Sequence, residues 1–101
     1  MISRHWKGIT KPGLAAHYVE HLKTRTVPEL TATPGFMSVS ILKRDVAEGT
    51  EFLVVTRWAS LESIRTFAGE DIEAAVVPEE AARLMAAYDR RVVHYDVVVS
   101  I

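Results

Sequence analysis

Residues 36–44, FMSVSILKR, and residues 51–58, EFLVVTRW, decide the fold. Both runs are rich in β-branched and aromatic residues, which suit a pleated, half-buried surface. Between them lies Asp45-Val46-Ala47-Glu48-Gly49-Thr50, a short polar connection with a glycine. Two strands so joined form an antiparallel hairpin. Upstream, residues 2–10 alternate loosely and predict a first strand, broken by Pro12-Gly13. From Leu14 the period changes. Leu14, Ala15, Tyr18, Val19 and Leu22 lie on one helical face, so a helix is expected to about Val27, ending by Pro34-Gly35.

Downstream of the hairpin, Ser60 suits a helix N-cap. Leu61, Ile64, Phe67 and Ala68 supply an apolar face, and Gly69 a stop. Pro78 opens a further helical stretch, with Glu79 and Glu80 favourable at the positive end of its dipole. Ala81, Leu84, Met85 and Tyr88 are its expected buried stripe, and residues 91–99 the last strand. The order is β-α-β-β-α-β. This is an α+β, ferredoxin-like plan, with a four-stranded antiparallel sheet and helices over one face. Leu53-Val54-Val55 and Val97-Val98-Val99 are apolar at both parities. A sheet with one wet face alternates, so the face away from the helices is expected to meet protein. A second copy of the chain in a two-fold homodimer is the economical cover.

Composition bounds the function. The 101 residues fit one domain, 1–101, and 49% hydrophobic with 25% charged residues is an ordinary globular balance. A net charge of -1 leaves no basic excess for phosphates, so no nucleic-acid partner is expected. Cysteine is absent, which excludes disulfides and thiolate chemistry. Met1–Lys7 carries charges where a secretory leader needs an apolar run. No stretch approaches the ~20 apolar residues that span a bilayer. The expected location is cytoplasmic, with no membrane partner.

The run Trp58-Ala59-Ser60-Leu61-Glu62-Ser63-Ile64-Arg65-Thr66-Phe67-Ala68-Gly69-Glu70-Asp71, the opening Arg4-His5-Trp6 and the ending His94-Tyr95-Asp96-Val97 resemble the antibiotic biosynthesis monooxygenase (ABM) domain family. The resemblance covers nearly the whole chain. It implies a homodimeric α+β barrel with a ligand cavity between sheet and helices in each subunit. It also implies cofactor-independent monooxygenation of a small aromatic or quinol-like substrate, in which the deprotonated substrate passes an electron to oxygen itself. The protein then supplies an apolar cavity, a proton acceptor and donors for the anion. Haem-degrading relatives use an Asn, a Trp and a haem-ligating His. Aligned on Trp58, those positions fall at His5 or Trp6, near Phe67 and near Val77, and none matches.

Within that frame His94 is the candidate proton acceptor and Arg4 the candidate anion holder. Trp6, Trp58 and Phe67 are candidate walls for an aromatic ligand. Each also has a plain structural reading: a strand histidine bonded to backbone, an arginine paired with a carboxylate such as Asp96, aromatics packed in a small core. His17-Tyr18-Val19-Glu20-His21 matches the letters H-x-x-E-H. The apolar stripe of that helix turns His17 and His21 outward, so no metal site is expected there, and no cofactor elsewhere. Two further readings stay open: a binding or stress-response protein that sequesters a small apolar molecule, and a haem-binding relative with another axial histidine. A cavity holding His94 and Arg4 together favours catalysis, and one with apolar walls alone favours binding.

Overall fold

A computed structural model describes residues 1–101. Its sheet is built from β1 (Ile2–Thr10), β2 (Phe36–Val46), β3 (Gly49–Trp58), β4 (Met85–Tyr88) and β5 (Val93–Asp96). The order is β2-β3-β1, with β4 and β5 both paired to the far side of β1. Every pairing is antiparallel. The helices are α1 (Ala15–His21), α2 (Val27–Thr31), α3 (Leu61–Ala68) and α4 (Glu79–Ala82). The ferredoxin-like order expected from the sequence is present, with the fourth strand cut in two.

The hairpin is longer than the sequence suggests. Its ladder runs to Val46 opposite Gly49, leaving Ala47-Glu48 as the turn. Gly49 has a φ of 151°, and a Cβ there would overlap the Thr10 carbonyl. Beyond Trp58, the Ser60 hydroxyl accepts from the Ser63 N–H at 3.3 Å, capping α3 as expected. Gly69 closes α3 at a φ of 90°.

Two segments depart from expectation. The stripe at 81, 84, 85 and 88 is not one helix. It stops at Ala82, and Met85–Tyr88 pairs with Gly8–Thr10 of β1. The stretch 85–88 fits a helix or a strand by pattern, and the backbone of β1 decides between them. Thr10 is fully buried, so its end of β1 needs a hydrogen-bonded neighbour to avoid orphaned groups. The last strand is also short: Val93–Asp96 rather than 91–99. The first helix continues through a π-helical stretch, Leu22–Thr26, into α2.

Even-numbered residues of β1 and β3 face the helices. Tyr18, Leu22, Phe52, Ala81 and Met85 form one core cluster, and Leu30, Trp58 and Ile64 a second. The opposite face carries Leu42, Leu53, Val55, Val93 and Tyr95. Leu42, Val93 and Tyr95 there are more than half exposed. No helix is long and apolar enough to cross a membrane.

Candidate functional site

A cavity of about 70 Å³ lies between the helix-facing side of the sheet and the helices. Strand β1 contributes Arg4 and Trp6, β3 contributes Val54 and Thr56, and α3 contributes Phe67. The first helical region adds Tyr18, His21, Leu22, Thr26 and Leu30, and the loop before α4 adds Val76–Pro78. No carboxylate lines it. The volume is about half that of an engineered cavity of ~150 Å³ that takes benzene. A ring therefore enters only if part of the wall yields. Leu22 and Thr26 belong to the π-helical stretch, an irregularity often found beside functional sites.

Arg4 is 4% exposed and has no carboxylate partner. Its Nη1 donates to the Ile72 carbonyl and, at 2.9 Å, to His94 Nε2, and its Nη2 donates to the Ala74 carbonyl at 2.8 Å. The guanidinium also lies 5.9 Å from the Phe67 ring centroid. Three of its five N–H groups are thus engaged, and two remain. Burial pulls its pKa down to about 10. A buried, unpaired cation is costly, and its position in a cavity wall marks a site that favours negative charge. Arg4 also ties the loop 72–74 to the sheet, which sets the wall at Val76–Pro78.

Trp6 lies flat over Gly8. A Cβ on Gly8 would overlap the ring, at 2.9 Å from Cζ2 and 3.1 Å from Cζ3. The indole N–H donates to the Asp89 carbonyl at 2.8 Å, which fixes the ring's other end. Phe67 packs against Trp58 with ring centroids 5.5 Å apart and the planes tilted by 34°. Trp58 itself is not part of the wall. It is fully buried in the second cluster and donates its N–H to Thr56 Oγ1 at 2.8 Å. Its place is under the wall, holding Phe67 and Thr56.

His94 stands outside the cavity. It pairs across the strands with Arg4 and lines a shallow groove with Ile72 and Glu73. Its Nε2 takes a hydrogen from Arg4, so the ring is a neutral acceptor with the proton on Nδ1. Burial first, and then the Arg4 charge, lower its pKa, with Glu73 partly opposing. Protonating it would set two cations together. His94 is thus hydrogen-bonded to Arg4 from behind and is not part of the cavity wall. The site thus splits the expected pair: Arg4 is in, His94 is out.

His21 is the residue that sequence reasoning turned the wrong way. His17 is exposed, but His21 lines the cavity, stacked on Tyr18 at 6.2 Å and 13°. Its Nε2 is buried and has no hydrogen-bond partner. The signal was present: His21 is three residues after the buried Tyr18, on the same helical face. Burial also raises the Tyr18 phenol well above its ordinary pKa. No cluster of three or more His, Asp or Glu side chains is placed to hold a metal.

A family model described as antibiotic biosynthesis monooxygenase matches residues 1–78. No curated protein matches the chain. Among solved structures, a putative antibiotic biosynthesis monooxygenase from Bacillus cereus is similar, with a TM-score of 0.68 and 21% identity over 100% of this chain and 94% of that one. The haem degrader MhuD of Mycobacterium tuberculosis, with two haems in its active site, has a TM-score of 0.68 and 18% identity, over 100% and 99% of the two chains. A monooxygenase from the gene ActVA-Orf6 of Streptomyces coelicolor, in complex with nanaomycin D, has a TM-score of 0.63 and 18% identity, over 99% and 89%. At these identities the likeness establishes the fold.

Proposed function

The chain belongs to the antibiotic biosynthesis monooxygenase family, and we propose that it oxygenates a small aromatic or quinol-like molecule without a cofactor. The observation that carries this reading is the cavity: apolar and aromatic walls, one buried guanidinium, no carboxylate. Such a site disfavours cations and favours a planar molecule that becomes an anion. In this reading Trp6 and Phe67 hold the ring. Arg4 stabilises the negative charge with its two free N–H groups. Oxygen is the co-reactant. A substrate methylene loses one proton to become a carbanion, passes an electron to oxygen, and recombines as a peroxide. Loss of water then leaves a ketone, so that CH₂ + O₂ gives C=O + H₂O.

The test is oxygen uptake with anthrone as substrate. Wild type should consume oxygen above the spontaneous rate. Arg4→Lys should retain only part of the rate, because a point charge does not reproduce the planar fork. Binding of anthrone with no oxygen uptake would replace this reading with a sequestering protein, a role that the small cavity also suits.

The working form in this proposal is a homodimer closed over the apolar sheet face that carries Leu42, Val93 and Tyr95. Light scattering should then give about twice the 11.3 kDa chain mass. A soluble monomer at micromolar concentration would remove the barrel from the proposal.

A further inference from the structure

The oxygenation just proposed needs a group that removes a proton from the bound molecule. Only three side chains in the cavity wall carry an acid–base group: Arg4, Tyr18 and His21. Arg4 is a cation with no lone pair to offer. Tyr18 is held in its neutral phenol form by burial, so its hydroxyl is a donor rather than a base. His94, the other histidine near Arg4, lies outside the cavity with Nε2 already engaged. His21 remains. Its Nε2 is buried at the site and meets no protein partner, although buried polar atoms are nearly always hydrogen-bonded.

We propose that His21 is the proton acceptor of this cavity, with Nε2 taking the acidic hydrogen of a bound phenol, quinol or activated methylene. The claim rests on the monooxygenase reading for its turnover and on the cavity alone for its binding. With the resting proton on Nδ1, Nε2 carries a lone pair. The ligand's O–H or C–H bond breaks, the proton forms a new N–H on Nε2, and the electron pair stays on the ligand. Helix and sheet then contribute opposite halves of the chemistry. His21 comes from the helical wall, and Arg4 from β1 holds the charge that is left. Stacking on Tyr18 orients the imidazole. The offset of the π-helical stretch begins at the next residue, Leu22.

Two measurements separate this role from the monooxygenase reading. The first is the absorbance of 4-nitrophenol, a one-ring probe whose ionised form is yellow. Binding to wild type at neutral pH should raise the phenolate band above that of the free probe. His21→Gln and His21→Ala should bind the probe within a few-fold of wild type with a clearly smaller rise, the remainder being what the Arg4 charge alone supplies. The second is oxygen uptake with anthrone. His21→Gln should lower kcat by about 10²–10⁴-fold, the usual contribution of a general base, while KM changes little. His17→Gln, on the exposed side of the same helix, should match wild type.

Wild-type turnover in folded His21→Gln overturns the role and leaves the monooxygenase reading intact. A raised KM with unchanged kcat also overturns it, because His21 is then only a binding contact. One-to-one haemin binding with a Soret shift lost in His21→Gln overturns it too, in favour of an axial ligand. If wild type consumes no oxygen, but bound nitrophenol still ionises in a His21-dependent way, the role stands and the monooxygenase reading falls.

Discussion

Replacing Gly8 with Ala tests the shelf on which Trp6 rests. The added methyl would overlap the benzo edge of the indole, with Cζ2 at 2.9 Å and Cζ3 at 3.1 Å. Ordinary carbon contacts lie near 3.5–4.0 Å, so the ring must lift by roughly 1 Å. Its Nε1 end is tethered to the Asp89 carbonyl. The ring therefore tilts about that end, and its free edge moves towards Tyr18, 6.3 Å away across the cavity. Overpacking of this kind costs about 1–3 kcal/mol. Losing glycine's freedom in the unfolded chain returns about 0.4–1 kcal/mol. The net loss is about 1 kcal/mol, seen as a fall in Tm of about 4–8 °C. A methyl is comparable in size to a water molecule, whose share of liquid volume is ~30 Å³, and the cavity holds only about 70 Å³. Affinity for a naphthol probe, read by calorimetry, should therefore fall by about tenfold or more, a change of ~1.4 kcal/mol. Adding Trp6→Phe to Gly8→Ala removes the overlapping ring edge. The pair should be coupled by at least ~0.5 kcal/mol in a double-mutant cycle. A Gly8→Ala protein as stable as wild type, with unchanged naphthol affinity, would refute the packing argument.

Two further changes have definite directions. His94→Gln keeps an acceptor for Arg4 but cannot be protonated. The folded pKa of His94 lies below its ordinary 6.5, so as pH falls below that value the unfolded chain takes up the proton first and stability is lost. Urea denaturation between pH 7.5 and about 5 should show a shallower loss in the variant, and equal slopes would mean that His94 is not braced against Arg4. Ser60→Ala removes the cap on the Ser63 N–H and should cost about 1 kcal/mol, measured as a lower urea midpoint with an unchanged slope.

The legible parts of this protein are those whose signals are local. The hairpin 36–58 announces itself by β-branched runs and a glycine turn. The third helix does so by Ser60, its apolar face and Gly69. Arg4 and Trp6 share a strand face and Phe67 is a large aromatic on another element, which marks them as candidates in the sequence, and all three line one cavity. Trp58 fits wall or core equally by sequence, because an aromatic carries no mark of which layer it fills. Zero exposure and a hydrogen bond to Thr56 place it beneath.

By itself the sequence determined the order of elements and the two apolar sheet faces, because side-chain periodicity is written residue by residue. Tertiary structure decided the rest. Met85–Tyr88 became a strand because the buried end of β1 needed hydrogen-bond partners, a demand made by residues some 75 positions away. His94 is hydrogen-bonded to Arg4 because register sets it opposite, and cross-strand register is not encoded at either residue. His21 turned inward because the helix packs its Tyr18 edge against the sheet and changes pitch just beyond it. Each outcome depends on which groups burial deprives of water and on who is left to satisfy them.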